Sequence, residues 1–156
     1  MRLDESSEIN IHVLRYLAKD RMGQPVIALP GTVRDPYYEQ GSHPDVVERI
    51  WDQIGSALPA DCRRLVYGSP ALVHPMSGVI FVFSMGTAYC LRLSPKSCAE
   101  AIEAGAKTYT KWTGGGDMDT QRDLGPHWVF GGWLADEIRW CRTVYDELGG
   151  SSTSAS

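Results

Sequence analysis

The longest apolar run of the chain, Val79-Ile80-Phe81-Val82-Phe83, lies between two glycine turns, Met76-Ser77-Gly78 and Met85-Gly86. Its β-branched and aromatic residues predict a strand. The run is continuous rather than alternating, so both faces of that strand are expected to be covered. Before it, residues 71–74 form a short apolar piece closed by Pro75. After it, Thr87, Tyr89, Leu91 and Leu93 alternate with Ala88, Cys90 and Arg92, the period-two pattern of a strand with one wetter face. The stretch predicts an antiparallel meander with short loops.

The remaining segments read as elements laid against this sheet. Ile9, Val13 and Leu17, with Leu14 beside them, make the apolar stripe of a helix over residues 7–22, capped by Ser6 or Ser7 and ended by Gly23. Residues 25–29, bounded by Pro30-Gly31, read as an edge strand. Ser42-His43-Pro44-Asp45 opens the clearest helix, with Ser42 as N-cap and a stripe of Val46 or Val47, Ile50, Trp51, Ile54 and Leu58 that stops at Pro59. Leu65-Val66-Tyr67 predicts a strand ending at Gly68. Ser94-Pro95 starts a helix that runs to about residue 104 and buries Cys98, Ile102 and Ala99 or Ala101. Residues 107–112 and 128–130 read as strands. A last helix over residues 134–148 carries Leu134, Ile138, Cys141, Tyr145 and Leu148 on one stripe and ends at Gly149-Gly150.

These elements define an α+β fold: an antiparallel sheet of about five or six strands with three or four helices packed mainly on one side. The 156 residues predict a single domain over 1–150, followed by a disordered small-residue tail at 151–156. The net charge of -4 disfavours nucleic acid as a partner. No apolar run approaches the roughly 20 residues that span a bilayer. The N-terminal residues Met1-Arg2-Leu3-Asp4-Glu5 have no secretory pattern, and four cysteines without staple-like spacing fit a reduced, cytoplasmic protein.

No catalytic, cofactor or metal motif stands out. Gly114-Gly115-Gly116 lacks the lysine of a P-loop, and Asp117 and Asp119 lack the further ligands of a calcium loop. His74, Cys90 and His127 are the residues of a Cys/His enzyme site if the fold brings them together. The carboxylate pairs Asp136-Glu137 and Asp146-Glu147 read as a solvated helix face. Tryptophan is the unusual feature, with Trp112, Trp128, Trp133 and Trp140 in the last third. Aromatic clusters favour interfaces. Trp140 lies off the helix stripe, which leaves two readings, an exposed contact residue with Arg139 and Arg142 nearby or an indole packed under the Gly114 loop; the first is taken as the expectation. The expected binding residues are Trp140, Arg139, Trp133 and Trp112, with Tyr37 and Tyr38 of the loop at residues 32–41.

The pieces Gly78-Val79-Ile80-Phe81-Val82, Tyr89-Cys90-Leu91-Arg92-Leu93-Ser94-Pro95 and Trp128-Val129, with the helix from Leu134, give the C-terminal half a resemblance to the YjbR-like, or double-wing, family. Val79 stands where that family carries a lysine. The resemblance implies an antiparallel sheet with helices on one side and a DNA-binding or other binding role. The expectation from the residues is a small, non-enzymatic binding protein acting through protein contacts, as an immunity or antitoxin-like protein or an adaptor would. The alternatives are a nucleic-acid-binding protein using Arg63, Arg64, Arg92, Lys107, Lys111 and Arg122, and the Cys/His enzyme.

Overall fold

The computed structural model describes residues 42–107 and 127–154, the strand residues 29–30, and the helical positions Asn10, Ile11, Val13, Leu14 and Leu17. Among the described residues six strands follow one another across one antiparallel sheet in chain order. They are β1 (Leu29–Pro30), β2 (Arg63–Val66), β3 (Ser69–Val73), β4 (Ile80–Ser84), β5 (Tyr89–Arg92) and β6 (Trp128–Phe130). β1 is a two-residue edge, where a proline removes no ladder bond that the sheet needs. The central strands are buried throughout, as their unbroken apolar run demands.

Three helices cover one face: α1 (Pro44–Glu48), α2 (Pro95–Glu103) and α3 (Asp136–Ser154). α1 continues as a π-helical stretch (Arg49–Ile54) and a 3-10 turn (Gly55–Ala57), and a second 3-10 turn (Ala60–Cys62) leads into β2. This layer packs Ile50, Trp51, Ile54, Trp140, Cys141 and Val144 against Leu72, Val82, Leu91 and Val129. The opposite face, with Val66, Ala71, Val73, Phe83 and Trp128, packs against Val13, Leu14 and Leu17. Asn10 fixes that contact, donating to the Gly78 carbonyl at 2.7 Å and accepting from Ile80 N–H at 2.9 Å.

A bulge divides β4 between the layers. Leu72 pairs with Val82 but Val73 pairs with Ile80, which leaves Phe81 as the extra residue. Phe81 and Val82 therefore both face the helices, while Ile80 and Phe83 face the other layer.

Several expectations change. His43, not Ser42, caps α1: its Nδ1 accepts from Asp45 N–H at 3.0 Å. Ser42 turns inward instead and hydrogen-bonds Ser84 at 2.9 Å. On the face of β5 expected to be wetter, Cys90 is buried in the second layer, while Arg92 is half-buried. Ile102 is exposed, and α2 buries Ser97, Cys98 and Ala101. α3 does not stop at Gly149-Gly150 but runs to Ser154, through part of the expected tail. Gly149 serves packing there, since a Cβ on it would lie 2.9 Å from His74 Nε2. The strand expected at 107–112 and the Gly114 loop lie, apart from Lys107, outside the described residues.

Candidate functional site

Among the described residues a connected polar group is buried where α1, β5 and the start of α3 meet. Arg49 is carried by the π-helical stretch, whose wide turns put three consecutive side chains, Arg49, Ile50 and Trp51, into the interior. Tyr89 opens β5, and Glu137 lies in the first turn of α3 with only 1% exposure. Arg49 Nη2 pairs with Glu137 Oε1 at 2.9 Å, and Arg49 Nε donates to Tyr89 Oη at 3.2 Å. The Tyr89 hydroxyl donates to Glu137 Oε1. Burial pushes the Tyr89 phenol well above its ordinary pKa, and the hydrogen bond to the Glu137 carboxylate pushes it further. Burial pulls on the Arg49 guanidinium in the opposite sense, but its bonds to Tyr89 and Glu137 outweigh that and raise its pKa.

The same groups hold the loop between β6 and α3. Gly132 N–H donates to Glu137 Oε2 at 2.7 Å. Trp133 N–H donates to Tyr89 Oη at 2.9 Å, and Arg49 Nη2 donates to the Leu134 carbonyl at 2.7 Å. Gly131 passes so close to the Tyr89 ring that a Cβ there would fall 1.9 Å from it. The loop is thus pinned at four consecutive residues, and Trp133 takes φ of +54°. That left-handed conformation is unfavourable for any residue with a Cβ and persists only where the surroundings impose it.

The result is an indole presented to solvent. Trp133 is 45% exposed and its ring meets the Tyr89 ring edge-on at 4.8 Å. It forms one wall of an open groove of about 420 Å³, with His43, Asp45, Glu48, Gln53 and Thr87 around it. Gln53 ties the groove to the buried network, accepting from Arg49 Nη1 at 2.9 Å.

The other expected binding residues fall differently. Trp140 is buried, at 2% exposure, and donates its indole N–H to Glu100 at 2.9 Å. It sits between α3 and α2, so the expectation of an exposed Trp140 does not hold. Arg139 is exposed but engaged, with Glu100 at 3.3 Å and Asp136 at 3.7 Å. Trp112, Tyr37 and Tyr38 lie outside the described residues. His74 and Cys90 do not meet, because they face opposite layers. His74 lies against Tyr145 of α3, with ring centroids 4.6 Å apart, whereas Cys90 is in the second layer with Met85 Sδ 2.9 Å away. Arg63 and Arg64, as neighbours in β2, point to opposite faces of the sheet. Lys111 and Arg122 are outside the described residues. Among the described residues no cluster of His, Cys, Asp or Glu is placed to hold a metal ion, and no helix is long and apolar enough to cross a membrane.

Sequence reasoning assigned Glu137 to a solvated face and passed over Arg49 and Tyr89. One signal was present: Arg49 stands between Val46-Val47 and Ile50-Trp51, inside an apolar stripe where an arginine needs a buried partner. No family model, no curated protein and no solved structure matches this chain.

Proposed function

We propose that the protein is a small cytoplasmic binding protein that acts through protein contacts, in the manner of an immunity or antitoxin-like protein or an adaptor, with Trp133 at the centre of its contact surface. One observation carries this reading: the fold spends a buried ion pair, a tyrosine hydroxyl and an unfavourable backbone conformation on holding an indole outside the core. Tryptophan is among the residues that most often dominate the energy of protein interfaces. A rigidly held side chain loses little entropy on binding, so the arrangement is preorganised for contact. Cys62, Cys90 and Cys141 are buried thiols outside any disulfide, which agrees with a reducing compartment.

The test places a photo-crosslinking amino acid at Thr87, exposed on the groove rim, and irradiates the protein in a lysate of its source cells. The expected result is a discrete protein adduct that excess wild-type protein suppresses and excess Trp133→Gly protein does not. Equal suppression by both competitors, or no adduct, overturns the reading.

A further inference from the structure

We propose that the Trp133 groove receives a cation, an arginine side chain carried on a basic segment of the partner; this rests on the contact reading above and names the chemistry of its occupant. The groove is lined by an exposed indole, two carboxylates from Asp45 and Glu48, the polar groups of Gln53 and Thr87, and His43. Among the described residues no lysine or arginine lines it. Asp45 is well exposed on the rim, with its side chain 78% accessible.

The groove also begins at the start of α1, where free backbone N–H groups would favour an anion. Those donors are already used. Asp45 N–H goes to His43 Nδ1, and Val46 N–H and Val47 N–H both go to the His43 carbonyl at 3.0 and 3.1 Å. The helix start therefore offers an anion little, and the carboxylates set the sign of the groove. Arg49 does not change that sign, because its charge is matched by Glu137 beneath the surface.

An indole attracts a cation within about 6 Å of its ring through the quadrupole of the π system. Carboxylates at the rim add Coulomb attraction and accept hydrogen bonds from the cation's N–H groups. Arginine answers both demands in one side chain. Its flat guanidinium stacks on an aromatic surface, presents five N–H donors at its edge, and sheds water more readily than an ammonium. The overall charge of -4 assists approach of a basic partner.

The experiment titrates the full chain with a glycine–arginine repeat peptide while the tryptophan indole N–H signals are followed by NMR. A matched peptide with citrulline in place of arginine keeps the shape and removes the charge. The expected result is saturable binding of the arginine peptide that shifts the Trp133 indole signal, is lost in Trp133→Gly, and weakens about tenfold in the Asp45→Asn, Glu48→Gln double variant. Added salt should weaken it further. Equal affinity for the citrulline peptide overturns the cation while leaving Trp133 as a contact residue. Undiminished binding to Trp133→Gly places the peptide elsewhere on the acidic surface and overturns the inference. Absence of saturable binding also overturns it, and the crosslinking result then judges the contact reading separately.

Discussion

At Trp133 the fold accepts a local cost. A non-glycine residue at φ of +54° costs about 1–2 kcal/mol relative to a right-handed conformation. Its edge-on contact with Tyr89 returns about 0.5–1.5 kcal/mol. In Trp133→Gly the two effects oppose each other, so stability measured by urea denaturation should change by less than about 1 kcal/mol. A large destabilisation would mean that the indole is part of the core and not a presented group. Tyr67 stands in a similar position, at φ of +51° with Gly68 at +76°, in the two-residue hairpin between β2 and β3. His74 poses the opposite problem, a titratable ring whose charge the fold excludes. It is 2% exposed, and its Nδ1 accepts from Met76 N–H and Ser77 N–H at 3.1 and 3.2 Å. A proton on Nδ1 would face both donors. Burial lowers its pKa below the usual histidine value, and Asp61 opposes this only in part. The unfolded chain therefore binds the proton first as pH falls. Stability is full above about pH 6.5, declines below it, and levels off beneath the folded-state pKa. His127 shifts the same way, through burial and Arg92, so the contribution of His74 is read as a difference. Between about pH 7.5 and about pH 5, wild type should lose stability relative to His74→Gln. Parallel curves would refute it.

At the scale of elements, Glu137 joins α3 to α1, β5 and the loop that carries Trp133. Replacing it by glutamine leaves Arg49 charged and buried with no carboxylate beside it. Removing one partner of a buried pair costs about 3–5 kcal/mol. Glu137→Gln should therefore be among the most destabilising conservative changes in the chain, and a urea midpoint close to wild type would show that water reaches Arg49. Gly131→Ala tests the same junction sterically. Its Cβ would collide with the fully buried ring of Tyr89, which has no free space to enter, and a loss of about 1–3 kcal/mol is expected in the same assay. Little of this junction was legible in the sequence. The strands were, because a β-branched run between glycine turns is a local signal, as in Val79–Phe83. Arg49 and Glu137, by contrast, are 88 residues apart, and the Tyr89–Glu137 bond spans 48. Nothing within a helical turn of Glu137 distinguishes it from the exposed Glu147. In the sequence Trp140 led the aromatic candidates, because it lies off its helix stripe, and Trp133 stood behind it. What separates them is that α2 supplies Glu100 to Trp140, whereas Trp133 lies in the loop between β6 and α3 with 45% exposure.

At the scale of the whole molecule, two apolar layers share one sheet as their common wall. Cys141 belongs to the layer of α1, α2 and α3, and Cys90 to the layer under Val13, Leu14 and Leu17. Both have 0% exposure. Burial raises the pKa of all four thiols, that of Cys62 to about 12, so native thiolate is scarce at neutral pH. A thiol reagent therefore reports opening of the fold around each cysteine. The bulge makes β4 serve both layers at once, with Phe81 and Val82 turned one way and Ile80 and Phe83 the other. Detaching either layer would bare half of the most apolar strand in the chain. The two layers are thus expected to open together. Variants that keep only Cys90 or only Cys141, the other cysteines replaced by alanine or serine, should give the same opening free energy from labelling rates across increasing urea, each corrected for its own global stability. Earlier labelling of Cys90 would show that the layer carrying Asn10, Val13, Leu14 and Leu17 unfolds as a separate unit. In that case the clamp of Asn10 on Gly78 and Ile80 is weaker than its buried geometry implies, and the sheet with its three helices holds the Trp133 groove without it.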